Sequence, residues 1–499
     1  MLNLLSRAVL NKQGQQENDD FNASPITILQ IGEGNFIRGF FDWMINECHK
    51  QGLYDGRISV MQPRPSGAAN IAKLKEQDGL FTLVIRGLED GEPVERDEIV
   101  NVFAEIFDPY SDWDAFLALA VSRDLQFVVS NTTEAGLVYQ PEAYVEKQPI
   151  LSFSGKMTLL LYERYKAFEG ADDLGLIFLP CELLENNGDR LRDCVLRFAE
   201  DWGLPTAFMA WIVEHNRFMN SLVDRIVTGY PGDEQAGEWF DKWGYTDKML
   251  STAELYHLWA IEGESELEQK LPLKQAGLNV HWVQDLKPFQ LRKVRILNGA
   301  HTLMTPLGIL HGVSYVRELM EHPDLGIFIR EAVENEILPT LPYGVEEMKD
   351  YANTVFERYL NPFILHRLSD IAMNSISKFK ARLLPTLAYY RDNSLPLPER
   401  LVHGFAGLLR YYKVKQNVDG DGYEGMTFGG SSYKVRDDVK VLEQLASIWL
   451  EAERGEYQTI HTVKLLLGLT ELWGDDLSLW PELAESINVQ LMGLENDNV

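Results

Sequence analysis

The sequence predicts an α/β fold, with an N-terminal Rossmann-like, doubly wound, mostly parallel sheet followed by a C-terminal, mainly α-helical domain. Short apolar runs rich in β-branched residues alternate with helical stretches over the first half of the chain. The first run leads directly into the glycine pair Gly32-Glu-Gly34. After about residue 275 nearly every periodic segment has helical spacing. We therefore expect one domain over 1–275 and a second over 276–499.

Four apolar runs are the predicted strands of the sheet: 26–31, 57–61, 125–130 and 174–180. Ahead of them, residues 1–24 have the character of a polar, weakly ordered leader. Helical spacing of apolar residues follows the glycine pair over 36–48. Strand, glycine turn and helix in this order open a dinucleotide-binding βαβ unit.

The second half reads as successive amphipathic helices separated by Gly, Pro and Asn breaks. The predicted helices are 290–298, 300–311, 314–321, 345–359, 362–374, 399–413, 435–452 and 457–467. Residues 415–434, rich in Gly, Asp, Ser and Tyr, are predicted to form a surface loop.

Charge excludes several classes of partner. The 499 residues carry 46 basic and 75 acidic side chains, a net charge of −29. Such a surface argues against nucleic acid or an anionic membrane as partner. A small anionic substrate remains compatible, provided that a local basic pocket is built for it. We expect a small-molecule substrate and a monomer or small homo-oligomer.

The cysteine and histidine patterns predict neither a disulfide framework nor a metal site. The three cysteines have no Cys-x-x-Cys spacing, and no His-Glu-x-x-His is present. The N-terminus lacks a signal-peptide pattern, and no run approaches the length of a membrane span. These features are typical of a cytoplasmic protein.

The turn at Gly32 and Gly34 has the chemistry of a phosphate cradle. The first glycine allows a tight turn, the second lets a pyrophosphate approach, and the following helix supplies amide donors. Ile37 stands where the full fingerprint has a third glycine, so an ordinary strand-to-helix turn is the alternative. The second strand ends in Gln62-Pro-Arg64 without the acidic residue that usually accepts the ribose of NAD. Arg64 is compatible with a 2′-phosphate, so the residues leave NAD and NADP open.

Polar residues also follow the third predicted strand, at Asn131-Thr132. Ligands of α/β proteins bind at the carboxyl ends of strands, which makes this turn a candidate cofactor contact. Capping of a following helix is the alternative role for both side chains.

The segment Lys293-Val-Arg-Ile-Leu-Asn298-Gly299-Ala-His301 brings a potential base, an amide and an imidazole together. In an α-helix, about 100° per residue places His301 roughly 80° and Asn298 roughly 140° around the axis from Lys293. A lysine is a useful base only if its ammonium loses a proton near neutral pH. An ordinary helix end, with Lys293 solvated and Asn298-Gly299 stopping the helix, fits the spacing equally well.

This segment resembles the K-x-x-x-L-N-G-x-H signature of the polyol-specific long-chain dehydrogenases, the mannitol dehydrogenase family. The string from Gly32 to Arg38 likewise resembles the family's G-x-G-x-F-x-R opening. The resemblance implies that Lys293 is the catalytic base and that Asn298 and His301 bind the reacting oxygen and the substrate hydroxyls. It also implies NAD as cofactor, bound by residues of both turns: Ile31, Gly32, Glu33, Gly34, Asn35, Phe36, Ile37, Arg38, Asn131 and Thr132.

Two further segments carry implied active-site residues. Residues 218–226 resemble the family's F-P-N-S-M-V-D-R-I, which implies that Asp224 tunes the lysine; a buried Asp224–Arg225 ion pair is the alternative. The stretch beginning at Cys181 resembles C-D-N-x-x-x-N-G, but Leu183 replaces its first asparagine. Asn187 is then the candidate second oxyanion donor.

The substrate segment departs from the family pattern. Lys378 matches the family lysine, whereas Asp370 stands where the family has an arginine. These departures most resemble family members that act on keto-hexuronates, which implies hydride transfer between NADH and the keto carbon to give an aldonate. A carboxylate substrate needs a cationic anchor. The candidates are Lys378, Arg367, Lys380 and Arg38.

Two alternatives stay open from the sequence. A neutral polyol or fructuronate dehydrogenase of the same family would use the same chemistry on another substrate. A non-catalytic NAD-binding sensor would keep the glycine turn and lose turnover, although it would have no need of Lys293, Asn298 and His301 together.

Overall fold

The computed structural model describes residues 2–14, 24–417, 422–455 and 458–496. Its described residues fall into two compact units. Unit 1 comprises Met1–Glu89 and Val94–Leu286, and unit 2 comprises Asp90–Pro93 and Lys287–Val499.

The strands before residue 287 are β1 (Asn3–Leu4), β2 (Ile26–Ile31), β3 (Arg57–Met61), β4 (Phe81–Glu89), β5 (Glu92–Val100), β6 (Phe103–Phe107), β7 (Phe127–Ser130), β8 (Ile177–Pro180), β9 (Arg217–Phe218), β10 (Ser221–Asp224), β11 (Val227–Gly229), β12 (Tyr245–Thr246), β13 (Ser251–Ala253), β14 (Leu258–Glu262) and β15 (Val280–Val283). The α-helices are α1 (Arg7–Lys12), α2 (Asn35–Ile37), α3 (Trp43–Lys50), α4 (Ala68–Glu76), α5 (Trp113–Ala120), α6 (Phe153–Ala167), α7 (Asn187–Asp201), α8 (Thr206–His215) and α9 (Asp233–Trp243). A π-helix, Arg38–Asp42, joins α2 to α3.

A six-stranded parallel sheet forms the centre of unit 1, in the order β6-β3-β2-β7-β8-β9. The chain proceeds outward from β2 on one side and returns to the other side at β7, which is the doubly wound order of a dinucleotide-binding fold. Neighbouring side chains of β2 alternate between two cores, with Ile28 on one face and Leu29 and Ile31 on the other. The predicted parallel sheet, buried on both faces, is therefore confirmed.

Smaller sheets complete unit 1 and were not predicted. They have the orders β11-β13-β4-β5 and β10-β14-β15. The prediction of a weakly ordered leader is wrong for residues 3–12, because β1 pairs with β12 and α1 follows it. Leu5 and Leu10 are buried there against Leu80 and Tyr245. The rest of the predicted leader, 15–23, lies outside the described residues.

Unit 2 is mainly helical, as predicted. Its helices are α10 (Lys287–Arg292), α11 (Asn298–Leu310), α12 (Val316–Glu321), α13 (Leu325–Ala332), α14 (Val345–Tyr359), α15 (Leu368–Ile371), α16 (Ser375–Arg382), α17 (Leu384–Asp392), α18 (Glu399–Tyr411), α19 (Val439–Glu453), α20 (Thr459–Leu467), α21 (Thr470–Trp473) and α22 (Leu483–Asn496). Two π-helices, Lys293–Leu297 and Val333–Ile337, interrupt them.

Two predictions for unit 2 are wrong. Within the predicted helix 362–374 only α15 is helical, because Pro362 follows a turn at Asn361 and the chain stays irregular up to Arg367. The predicted loop 415–434 contains strands of an antiparallel sheet. These strands are β16 (Val414–Gln416), β17 (Tyr423–Met426) and β18 (Ser432–Val435).

Two expectations from the sequence concerned membrane spans and cysteines. No helix in the described part of the chain has the length and apolar character needed to cross a membrane. The three cysteines, Cys48, Cys181 and Cys194, are buried and unpaired.

Candidate active site

The glycine turn after β2 is held from its inner side by two buried side chains. Gln30 donates to the Gly32 carbonyl at 3.0 Å, and Arg38 donates through Nε to the Glu33 carbonyl at 3.2 Å. In a trans peptide the N–H points opposite to the carbonyl. The amides of Glu33 and Gly34 therefore point away from these side chains, at the N-terminus of the helical segment 35–50. This is the arrangement that binds phosphate oxygens.

Both glycines are required, for different reasons. Gly32 has φ +123°, and a Cβ there would lie 2.8 Å from the Asn131 carbonyl oxygen. Its own amide donates to the Met61 carbonyl at 2.9 Å, so the turn is clamped between the ends of β3 and β7. At Gly34 a Cβ would meet nothing within 4 Å. That open space lies over exposed backbone, where a ligand can approach.

The turn after β7 is organised by a buried carboxylate that was not predicted. Glu182 accepts hydrogen bonds from the amide and hydroxyl of Thr132, at 2.8 and 2.9 Å, and from the Ser130 hydroxyl at 3.0 Å. Burial raises the pKa of Glu182, which these hydrogen bonds partly offset. Asn131 donates to the Cys181 carbonyl at 3.2 Å. Neither Asn131 nor Thr132 caps the following turn, so the capping alternative is wrong.

Unpartnered polar atoms surround the end of β3. Glu33 is buried, and its Oε2 has no hydrogen bond among the described residues. Gln62 is buried as well, and both the nitrogen and the oxygen of its side-chain amide lack such a bond. Burial raises the pKa of Glu33. Buried polar groups normally find partners, so this set has the character of a binding site. A dinucleotide offers the ribose hydroxyls and phosphates that would satisfy these atoms and the amides of the glycine turn.

Several predicted cofactor residues prove to be structural. The side chains of Ile31 and Ile37 are fully buried in the core, and Phe36 stacks on Phe40 with ring centroids 5.0 Å apart. The Thr132 hydroxyl donates to Glu182 and can therefore only accept a hydrogen bond from a ligand. For Ile31 and Ile37 the prediction survives only for backbone contacts, and for Phe36 and Thr132 it stays a prediction.

Arg38 was predicted to contact a phosphate or the substrate, and the structure contradicts this. Its side chain is only 3% exposed. Besides the hydrogen bond to the Glu33 carbonyl, its guanidinium donates hydrogen bonds to the Met249 carbonyl and to the side-chain oxygen of Asn35. All of its donors point into unit 1, so Arg38 positions the glycine turn instead of touching a ligand.

Asn187 is likewise committed elsewhere. Its amide nitrogen donates to the carbonyls of Pro180, Glu182 and Ser221 at 3.0 to 3.1 Å, and its oxygen accepts from the Ser221 amide at 2.8 Å. The predicted role as oxyanion donor is wrong, because no N–H of this amide remains available.

Asp224 is buried at the end of β10. Its neighbour Arg225 donates to the carbonyls of Glu254 and Gly39 at 2.9 and 2.7 Å and lies 4.0 Å from the Trp43 ring centroid. The Arg225 guanidinium is thus held by two backbone carbonyls and by the face of the Trp43 ring. The assignment of Asp224 as a residue that tunes the lysine stays a prediction.

In unit 2 the predicted Lys-Asn-His segment lies on one continuous helical run, 287–310. Lys293 opens its π-helical turn, and Asn298 and His301 lie one turn apart at the start of α11. The 100° spacing therefore holds between Asn298 and His301 but not back to Lys293, because a π-helix accommodates an extra residue. Such bulges are frequent at functional sites. The alternative of a helix end at Asn298-Gly299 is wrong, since α11 continues to Leu310.

Side chains from other helices hold the transition from the π-helix to α11. The Tyr359 hydroxyl donates to the Leu297 carbonyl at 2.5 Å. Arg382 donates to the Asn298 carbonyl at 3.4 Å and to the Thr302 hydroxyl at 3.1 Å. The side-chain amide of Asn298 is half-buried and makes no hydrogen bond to another described residue. It is therefore available to a ligand.

His301 is a neutral imidazole with an open nitrogen. It is 9% exposed, and its Nε2 has no hydrogen-bond partner in the described part of the chain. Its ring lies 4.5 Å from Tyr359 and 5.0 Å from His366 between centroids. Burial first, and then nearby cationic groups, lower the pKa of His301 well below its usual value. An uncharged imidazole can exchange hydrogen bonds with a hydroxyl or carbonyl.

The groups whose positive charge, when present, lowers the pKa of His301 come from three segments of unit 2: His366, Arg358, Arg382 and Lys378. The predicted substrate residue Lys378 thus lies near enough to act electrostatically on the predicted catalytic histidine. Arg367 is exposed and lies 5.9 Å from the Tyr315 ring centroid. Its assignment as a carboxylate anchor stays a prediction.

Residues that the sequence did not single out include Gln30, Glu182, Tyr359 and Arg382. Only Glu182 stood within a quoted motif, as the acidic residue after Cys181. The other three act through contacts with segments distant in sequence. No local pattern could have identified them.

Among the described residues no group of three or more His, Cys, Asp and Glu side chains is placed to hold a metal ion.

Comparison with known proteins gives matches over nearly the whole chain. The Mannitol dehydrogenase Rossmann domain matches residues 26–275 and the Mannitol dehydrogenase C-terminal domain matches 285–494. Altronate oxidoreductase of Bacillus subtilis (strain 168) is 42% identical over 97% of this chain and 95% of that protein. The altronate oxidoreductase of Halalkalibacterium halodurans is 40% identical over 93% of this chain and 90% of that protein.

Two solved structures share the fold. Pseudomonas fluorescens mannitol 2-dehydrogenase, in a ternary complex with NAD and D-mannitol, aligns with a TM-score of 0.66 at 20% identity, covering 99% of this chain and 97% of that one. D-sorbitol dehydrogenase in substrate-free form aligns with a TM-score of 0.76 at 19% identity, covering 99% of both chains. At these identities the likeness shows the fold alone.

Proposed function

Because this chain belongs to the mannitol dehydrogenase family, we propose that it reduces the keto-hexuronate D-tagaturonate to D-altronate with NADH, reversibly and without a metal. Membership makes it an oxidoreductase that acts on CH–OH groups. The choice of substrate and cofactor, and the roles of individual residues, are the content of the proposal.

The observation that carries the choice of substrate is the similarity to curated altronate oxidoreductases at about 40% identity over nearly the full length of both chains. The surroundings of His301 agree with it, because Arg382 and Lys378 add positive charge that would favour an anionic sugar. A neutral polyol needs no such charge. The chain as a whole has a net charge of −29, so basic side chains gathered near His301 are a departure from the overall composition and support an anionic substrate.

A nicotinamide cofactor follows from the Rossmann-type dehydrogenase domain of this family. The amides of Glu33 and Gly34 would hold its pyrophosphate, and Asn131 would lie beside its nicotinamide half. We choose NAD over NADP because the buried carboxylate of Glu33 lies beside Gly67, in the turn after β3, and beside Asn70, in the first turn of α4. A carboxylate accepts ribose hydroxyls and repels a 2′-phosphate.

In the proposed mechanism, Asn298 and His301 bind the keto oxygen and a neighbouring hydroxyl of the substrate. The reduced nicotinamide, when bound, supplies hydride to the carbonyl carbon. Charge then develops on the oxygen, where the Asn298 amide and the Lys293 ammonium stabilise it. Lys293 donates its proton to that oxygen and completes the alcohol. In the oxidative direction the neutral amine of Lys293 accepts the hydroxyl proton.

The proposal is tested by a panel of substrates assayed for consumption of NADH or NADPH. The panel contains D-tagaturonate, D-fructuronate, D-tagatose and D-fructose. We expect kcat/KM for D-tagaturonate with NADH to exceed that for either neutral ketose at least a hundredfold, about 2.7 kcal/mol in transition-state binding. NADPH should be the poorer reductant.

Each other outcome points to a different function. Equal efficiency on D-fructose and D-tagaturonate would contradict the uronate assignment and favour a neutral polyol dehydrogenase. Preference for D-fructuronate would keep the class of reaction and change the substrate. NADH binding without turnover of any member of the panel would favour a sensor.

A further inference from the structure

Lys378 and Arg382 lie four residues apart on α16 and therefore on one face of that helix. Lys380, which lies between them, points elsewhere, since its Nζ is 3.0 Å from the position of a Cβ on Gly474. This separates the three basic residues of α16 into two sets. Lys378 and Arg382 face the helix that carries the catalytic segment, and Lys380 does not.

The position of Arg382 is fixed by bonds to α11. Its Nη1 donates to the Asn298 carbonyl and the Thr302 hydroxyl, on either side of His301 in sequence. A Cβ on Gly299 would lie 3.3 Å from Leu383, so α11 and the end of α16 are closely packed here. The guanidinium is consequently held within about one helical turn of the groups that bind the reacting oxygen.

No acidic side chain in the described residues forms an ion pair with Arg382. Its Nη1 donates to a carbonyl and a hydroxyl, and its Nε and Nη2 donate to no other described residue, which leaves both for a ligand. Lys378 donates to the Ile371 carbonyl at 2.8 Å. Burial, and then Arg382, lower the pKa of Lys378, while Asp437 acts in the opposite direction. Asp437 itself accepts a hydrogen bond from Tyr412.

Two cations four residues apart on a helix repel one another. Placing Lys378 and Arg382 together in a partly buried place is less unfavourable when an anion binds between them. The planar fork of an arginine matches a carboxylate through two parallel hydrogen bonds.

We infer that Arg382, assisted by Lys378, binds the carboxylate of the substrate and thereby selects uronates over neutral ketoses. This rests on the proposed function, since it identifies the residue that recognises the acid group of the proposed substrate. Arg382 is a specificity residue: it takes no part in the movement of hydride or proton.

The inference is tested with Arg382→Gln and Arg382→Lys, assayed on D-tagaturonate and on D-tagatose, which lacks the carboxylate. With Gln we expect kcat/KM for D-tagaturonate to fall about a hundredfold, mainly through KM, as for the loss of a charged hydrogen-bond partner. For D-tagatose, kcat/KM should stay within about threefold, since its binding does not use the charge. Lys keeps the charge and loses the fork, and it should give an intermediate loss on D-tagaturonate alone.

A matched control is Arg391→Gln on the next helix, where the arginine pairs with Asp392 and Asp475. It should behave as wild type with both substrates. A second measurement does not depend on turnover: the affinity of the enzyme–NADH complex for D-altronate should fall by a similar factor in Arg382→Gln and stay unchanged in the control.

The outcomes separate the two hypotheses. If wild type reduces D-tagatose as well as D-tagaturonate, the proposed function fails irrespective of Arg382. If wild type prefers D-tagaturonate and Arg382→Gln keeps that preference, the inference about Arg382 fails alone. Equal losses on both substrates would also overturn it, because Arg382 would then only support the backbone at Asn298.

Discussion

Replacing Gly32 and Gly34 by alanine, one at a time, separates the two roles that the glycine turn combines. At Gly32 the new methyl would lie 2.8 Å from the Asn131 carbonyl oxygen, on a backbone with φ +123°. At Gly34 the methyl would enter open space, on a backbone with φ −68°. The first substitution strains the protein, and the second obstructs only a ligand.

The magnitudes follow from these two geometries. A non-glycine residue in this region of φ costs about 1–3 kcal/mol, and forcing a methyl against backbone costs a further 1–3 kcal/mol, roughly. We expect Gly32→Ala to lower the free energy of unfolding by about 3 kcal/mol, which is roughly 6 °C in Tm for a unit of this size. Gly34→Ala should change stability by less than about 1 kcal/mol, since it only alters a helix N-cap.

The assay combines thermal unfolding with NADH binding followed by fluorescence. Gly32→Ala should weaken both stability and binding. Gly34→Ala should keep the wild-type Tm and lose about tenfold or more in NADH affinity, because the methyl occupies the approach of the pyrophosphate. Wild-type affinity in Gly34→Ala would refute the placement of the pyrophosphate at this turn.

Three further predictions concern catalysis, metal and pH. Lys293→Met should lower kcat on the order of a thousandfold or more, because both general acid–base catalysis and electrostatic stabilisation are lost. The affinity for NADH should stay within a few-fold of the wild-type value. A kcat within roughly tenfold of the wild-type value would mean that Lys293 has only a structural role. Activity should survive strong chelators, and a loss that zinc or manganese restores would contradict the lysine mechanism. The pKa values of His49 and His257 are lowered from 6.5 to about 4, chiefly by burial, so the unfolded chain binds protons that the folded protein does not. Each histidine should therefore lower the free energy of unfolding as pH falls from 6.5 to 4, by up to roughly 3 kcal/mol. In urea unfolding, the free energy of unfolding of His257→Gln should decrease less over this pH range than that of the wild type, and an equal decrease in both proteins would refute this.

The central sheet could be predicted because its determinants are local. Four of its six strands, β2, β3, β7 and β8, lie in the short apolar runs that were predicted, and the doubly wound order follows from connections of helical length. The edge strands β6 and β9 were not predicted, because the first contains Glu105 and the second has only two residues. Pairing of β1 with β12 joins segments more than two hundred residues apart, and nothing in the polar composition near the N-terminus indicates it. The sheet of β16–β18 was missed for a related reason. Its glycine-rich sequence resembles a loop, yet Tyr433 stacks on Tyr411 of α18 at 5.0 Å.

For the candidate site, the sequence identified which residues lie there more reliably than what each of them does. Lys293, Asn298 and His301 stand close together in sequence on one helical run, and so their proximity could be inferred. Arg38 belongs to an equally specific motif, but its burial and its bonds to carbonyl groups depend on how the turn packs. Arg382 lies eighty-one residues after His301, and only the packing of α16 on α11 brings the two together.

The π-helical turn over Lys293–Leu297 makes the spacing of the catalytic groups a discrete quantity. An i→i+5 turn holds one residue more than an α-helical turn, so deleting one residue, for example Val294, would allow a regular α-helix that keeps Asn298 and His301 on nearly the same side relative to Lys293. Deleting a second residue would turn both side chains by about 100° relative to Lys293. Substitutions can alter the chemistry of this segment gradually, whereas its geometry can change only in whole-residue steps. Chain length over these five residues is therefore a constraint on evolution and engineering that is independent of which side chains they carry.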